Sequence, residues 1–209
     1  MNDLITWTII SLTVLMTGWY CLQAAWGRIA PTLSTWLIFL VATILQILTY
    51  KWASKEHGWF TNVYAITDTI AVGITVLLIF FFGKKVKRRF RRIDVRCLRG
   101  AGAVWLVWGF GMAVLPNSSL ICNFAIQAIM VLAYFPTWGK LWRAKQKTEP
   151  YSVWVVNEFT ALLGLSLVLP KHDWISIVYS VRAIVSVLIV LLLLFRLDIL
   201  AKRNAPPSR

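Results

Sequence analysis

Asp68, Glu158 and Arg182 are ionisable side chains set inside long apolar runs. A charge in hydrocarbon is costly, so such a residue faces the interior of a helix bundle or a water-filled cavity. Three uses follow: holding the counter-charge of a substrate, relaying a proton through a carboxylate, or locking the bundle with an internal ion pair. An arginine beside Asp68 or Glu158 would hold that carboxylate ionised, which opposes a relay.

Helical spacing surrounds these residues with small and polar ones. Thr61, Ala65, Asp68, Val72 and Thr75 share one helix face, and Ser176, Tyr179, Arg182 and Ser186 share another. Asn123, Gln127 and Tyr134 recur at similar spacing, as do Thr43 and Gln46, while Asn157 precedes Glu158. Together these could line a substrate pocket. The uncharged members fit equally a packing role, since such groups hold transmembrane helices together by hydrogen bonds of about 0.6–2 kcal/mol.

Other chemistries lack their residues. The chain has no Gly-rich phosphate loop and no Ser/His/Asp set of recognisable spacing, and His57 and His172 fall at the ends of apolar runs. Cys21, Cys97 and Cys122 show neither metal-ligand nor redox spacing. The last apolar run has no lysine for a retinal Schiff base. The expectation is neither an enzyme nor a photoreceptor, with no cofactor and no metal.

The elements that must hold these residues are membrane helices. Hydrophobic residues make up 59% of the chain and charged ones 14%, and a spanning helix needs roughly 20 mostly apolar residues. Seven segments qualify: 5–25, 33–50, 59–82, 100–115, 119–137, 151–169 and 174–196. The first reads as a retained helix and not a signal peptide, because "MNDL" carries Asp3 and no cation ahead of it. Lysines and arginines in short loops concentrate on the cytoplasmic side. With the N-terminus outside, 18 of the 22 fall inside and only Lys51, Lys55 and Lys171 outside, with Arg182 left within a span. N-out, C-in follows. Tryptophans favour the interfacial belts, which places Trp52, Trp59 and Trp174 at outer ends and Trp26, Trp36, Trp138, Trp142 and Trp154 at inner ones.

An internal repeat organises the segments. His57, Trp59, Val63, Tyr64 and Phe80 match His172, Trp174, Val178, Tyr179 and Phe195 at one constant offset of 115. Upstream, "STW" at Ser34 matches "SVW" at Ser152, and Tyr20 can be set against Tyr134. Segments 1–3 therefore pair with 5–7, and segment 4 is the connector that makes the two copies parallel. The expected layout is an all-α integral membrane protein of seven transmembrane helices, 3+1+3. Residues 1–83 form the first unit, 84–116 the basic loop and linker helix, 117–199 the second unit and 200–209 a disordered cytoplasmic tail. In this frame Asp68 and Arg182 lie about 12–14 Å below the outer interface. They sit at neighbouring repeat positions and could form an ion pair across a central cavity.

Between segments 5 and 6, "YFPTWGKLWRAKQKTEPYSVW" sets cations between Pro136 and Pro150, and "PTLSTW" sets Pro31 ahead of segment 2. Proline frees a backbone carbonyl and permits a kink, so Pro136, Pro31 and Pro150 are hinge candidates, or proline simply ends the helices. The run "KKVKRRFRRIDVRCLR" has nine cations with apolar residues interleaved. Lys84, Lys85, Lys87, Arg88, Arg89, Arg91 and Arg92 suit anionic lipid headgroups at about 1 kcal/mol per cation, or a partner. Nucleic acid is not expected there, because a loop between spans is basic on topological grounds.

With its parallel triplets, "PTLSTW" and "PTWGK", the chain resembles the SWEET and PQ-loop transporters, in particular uncharacterised bacterial SWEET-like proteins. Thr137 stands where a PQ motif has Gln, and "CLQ" at Cys21 to Gln23 replaces Pro-Gln. The resemblance implies a bacterial inner-membrane transporter or facilitator of a small polar metabolite by alternating access, with prolines opening and closing the pore. SWEETs carry two asparagines where Asp68 and Arg182 stand here, so a charged or zwitterionic metabolite fits better than a neutral sugar. The alternative is a non-transporting scaffold or accessory subunit that docks lipid or a partner. Both triplets lie in one chain, so a monomer suffices geometrically, while a homo-oligomer or a membrane-protein partner is compatible.

Overall fold

The computed structural model describes residues 2–29, 31, 33–53, 62–83, 92–111, 118–144 and 149–203. Lys84, Lys85, Lys87, Arg88, Arg89 and Arg91, together with His57, Trp59 and Thr61, lie outside them. Among the described residues there are seven α-helices and no strand: α1 (Asn2–Ala25), α2 (Leu33–Ala53), α3 (Val63–Phe82), α4 (Arg92–Gly111), α5 (Ser118–Arg143), α6 (Tyr151–Val168) and α7 (Trp174–Arg203).

Six of these, all but α4, are long and apolar enough to cross a membrane, as in a membrane protein. Their outward faces carry large apolar side chains such as Trp7, Leu15, Leu77, Phe81, Val185 and Leu192 in the open, a surface that suits hydrocarbon. α4 differs from the expected run at 100–115 because it starts eight residues earlier, among Arg92, Asp94, Arg96 and Arg99. Those charges, in its first two turns, keep the described helix out of the six, while 112–115, the rest of the expected run, lie outside the described residues. Its first turn is anchored instead by Ser34 at the head of α2, whose hydroxyl donates to the fully buried Asp94 carboxylate at 2.7 Å. Arg92 beside it is exposed.

Local chemistry sets the helix ends that matter most. Asn62 caps α3 by accepting the amide of Ala65 at 3.0 Å. His172, in the left-handed region at φ 51°, turns the chain after a short 3-10 turn, and Asp173 accepts the Ser176 amide at 3.2 Å to open α7. Pro136 does not end α5, which continues to Arg143. Pro31 is buried ahead of α2, and Pro150 occupies the position before α6 in an extended conformation.

α3 packs against both α1 and α2, and α7 against both α5 and α6. The two groups meet along α1 with α6 and α2 with α5, while α4 lies against α5 and α2. A core of Leu45, Ile126, Met130, Tyr179 and Leu194 fills the seam.

Candidate functional site

A cavity of about 840 Å³ of empty space, counting the part open to solvent, runs into the middle of the bundle. Its deep end holds Asp68 of α3 and Arg182 of α7. Its walls are Tyr20, Trp36, Phe39, Tyr134 and Trp154, with Thr17, Thr35, Thr75, Thr137 and Asn157 between them. Its other end, which we term the mouth, is lined by the buried Glu149 and Val153 and lies where α1 and α5 finish and α2 and α6 begin.

The deep end differs from the expected ion pair. No salt bridge joins Asp68 to Arg182, because Tyr179 stands between them. The Tyr179 hydroxyl donates to Asp68 Oδ2 at 2.5 Å, and its ring lies under the Arg182 guanidinium, 4.7 Å from ring centre to Cζ. A stack of this kind is favourable for arginine. Tyr179 is held in turn by an edge contact with Tyr64 at 5.6 Å and is fully buried. Two residues matched by the repeat, Tyr64 and Tyr179, thus meet at the bundle centre.

Arg182 continues into a polar chain behind the cavity. Its Nε donates to Gln127 Oε1 at 3.2 Å, and the Gln127 amide donates to Gln46 Oε1. Asn123 donates to Thr49 at 3.1 Å and to the Gln46 carbonyl. Gln46, Asn123 and Gln127 are therefore brought together, yet they bridge α2 to α5 and do not line the cavity. Arg182 is only 8% exposed, and its Nη2 has no hydrogen-bond partner. Glu158 is half-buried, does not line the cavity, and leaves Oε2 without a hydrogen bond. Its neighbour Asn157 does line it.

At the opposite end of the bundle a buried polar cluster draws three helices together. Asp173 Oδ2 accepts the hydroxyls of Tyr50 and Ser176, each at 2.6 Å, and the Asn62 amide donates to Ser176 Oγ at 2.8 Å. This ties the end of α2 to the starts of α3 and α7. Asn62, Asp173 and Ser176 are all buried.

At the mouth, Lys140 Nζ pairs with Glu149 Oε1 at 2.7 Å. Burial pushes the Glu149 carboxyl above its ordinary value, while the Lys140 ammonium and the Tyr20 hydroxyl pull it back.

Two expected interfacial tryptophans prove to face inward. Trp154 is buried, and both Trp36 and Trp154 line the cavity beside Tyr20 and Tyr134; Trp36 donates to the Tyr20 hydroxyl at 3.3 Å. Trp26, Trp52, Trp142 and Trp174 remain exposed. The repeat carried the missed signal, since Tyr20 with Tyr134 and Trp36 with Trp154 are its matched pairs. Asp173 and Glu149 had no such signal, being lone carboxylates beside helix starts. Compared with models of known protein families, with characterised proteins and with solved structures, the chain finds no match in any of the three.

Proposed function

We propose that this chain is a SWEET-like transporter or facilitator of a small polar metabolite, working by alternating access through the central cavity. The observation that carries this reading is an asymmetric one: a cavity lined by residues of α1–α3 and α5–α7 reaches from Asp68 and Arg182 toward one end of the bundle, and a hydrogen-bonded latch occupies the other. A carrier caught in one of its two states has that form. In this reading α1–α3 and α5–α7 are parallel repeats joined by α4, seven crossings in a 3+1+3 order. The packing of α3 on α1 and α2, and of α7 on α5 and α6, supports it. With the N-terminus outside the bacterial inner membrane, the cavity opens to the cytoplasm. Pro136, within α5 and one residue before the cavity-lining Thr137, serves as the hinge, and Pro31 and Pro150 flank the helix starts that line the mouth. The basic residues from Lys84 to Arg92 hold anionic lipid.

Directional thiol labelling tests it. Cys21, Cys97 and Cys122 are replaced by alanine, and single cysteines are placed at Val72, which lines the cavity, and at Ala65, a buried position about two turns closer to the latch. A membrane-impermeant maleimide should reach Val72→Cys from the cavity side and Ala65→Cys from the opposite side, more slowly. A scaffold that never opens its latch would leave Ala65→Cys unlabelled from either side.

A further inference from the structure

The arrangement around Tyr179 narrows the class of ligand, an inference that rests on the cavity being a transport site. In a bundle whose charges served only to lock it, Asp68 and Arg182 would pair directly. Instead the Tyr179 side chain holds them apart, with its hydroxyl on the carboxylate and its ring under the guanidinium. The carboxylate has that one hydrogen bond. The guanidinium has one from Nε, to Gln127, while Nη2 is buried with no partner on a residue that lines the cavity. A buried, unpaired donor on a cation is costly unless something anionic satisfies it.

We propose that the deep end of the cavity binds a zwitterion, an amino-carboxylic acid with an apolar side chain. Its carboxylate docks on Arg182 Nη2, its ammonium on Asp68, and its side chain points toward the mouth among Tyr20, Trp36, Phe39, Tyr134 and Trp154. Charge balance favours this order. Asp68 and Arg182 cancel, so a ligand carrying both charges meets both, whereas a simple amine or acid leaves one of them uncompensated in a place poor in water. The aromatic wall supplies apolar contact and an electron-rich face. A neutral sugar would answer neither charge.

Calorimetric titration of the full chain in detergent distinguishes these ligands. The probes are phenylalanine, phenethylamine, which lacks the carboxylate, 3-phenylpropionate, which lacks the ammonium, and glucose. Phenylalanine should bind about 10–100-fold more tightly than either truncated analogue. Arg182→Gln should reduce phenylalanine to the affinity of phenethylamine, and Asp68→Asn should reduce it to that of 3-phenylpropionate. Equal binding of phenylalanine and either analogue to the wild-type chain overturns the inference, as does binding of glucose alone or of no probe. The wild-type comparison stands even if a variant misfolds. The labelling of Ala65→Cys separates this failure from the larger one: labelling without zwitterion preference leaves a carrier of another substrate, and zwitterion binding without labelling leaves the site and removes transport.

Discussion

At the latch, one carboxylate accepts two hydroxyls and an amide from α2 and α7, and Asn62 joins α3 to them. At the cavity end, the same helices present aromatic rings, Arg182 with a donor unused, and Glu149 in an ion pair beside open space. The latch carboxylate therefore has its Oδ2 and Oδ1 bonded, whereas at the cavity Arg182 Nη2 and Glu149 Oε2 have no hydrogen-bond partner. A buried polar network holds firmly only when all its members are bonded. The latch should consequently dominate stability, and the cavity should dominate binding.

The largest test of that contrast is Asp173→Ala. It removes the acceptor for Tyr50 and Ser176 and the cap of α7, a loss of about 3 kcal/mol from an unsatisfied buried network and a missing cap. Thermal unfolding in detergent should show a clear fall in Tm. Labelling of Ala65→Cys from the latch side should rise at the same time. A drop in Tm no greater than that of a cavity substitution such as Thr35→Ala would erase the distinction between the two ends.

Two glycines sharpen the same comparison at intermediate cost. Gly164 lies in the latch-side half of α6, where an added Cβ would meet Tyr64 Cβ at 2.7 Å and Cγ at 2.9 Å. Tyr64 is itself pinned against Tyr179, so it has little room to give. Gly164→Ala should destabilise by about 1–3 kcal/mol through overpacking. Gly139, near the mouth in α5, has nothing within 4 Å of such a Cβ, and Gly139→Ala should be neutral or stabilise by up to about 1 kcal/mol through helix propensity. Chemical denaturation of the two variants side by side checks the signs.

The helices were legible because hydrocarbon demands about 20 apolar residues per crossing, and six runs of that kind reappear as helices with ends shifted by a few residues. α4 was less legible, since its first turns carry several charges and are tied to α2 through the buried Asp94–Ser34 contact. The meeting of Asp68 and Arg182 in one cavity could be read from their depth and repeat register. The tyrosine wedged between them could not, because register tells which residues share a level and says nothing of which side chain fills the gap. Trp36 and Trp154 were misread for a related reason: a position at a helix end is compatible with the lipid belt and with a cavity mouth, and only the rotation of the helix decides. Asp173 was invisible because Tyr50, the residue of α2 that it holds, is remote in sequence.

The smallest expected effect is at the mouth, where pH should move the Lys140–Glu149 pair. Burial raises the Glu149 carboxyl above its ordinary value more than Lys140 and Tyr20 lower it. In the window between the unfolded value and the raised folded one, the folded chain binds more protons than the unfolded chain, so stability falls as pH rises through that window. Acidification from neutral pH should therefore stabilise the wild-type chain at this position relative to Glu149→Gln, which carries no titrating carboxyl there. The Tm difference, wild type minus variant, should grow as pH falls through the folded value and level off below the ordinary carboxylate range. A difference that shrank instead would mean that the ion pair with Lys140 outweighs burial. The mouth would then be held shut by charge much as the far end is held by hydrogen bonds, and the two ends of the bundle would be alternate latches of a single cavity.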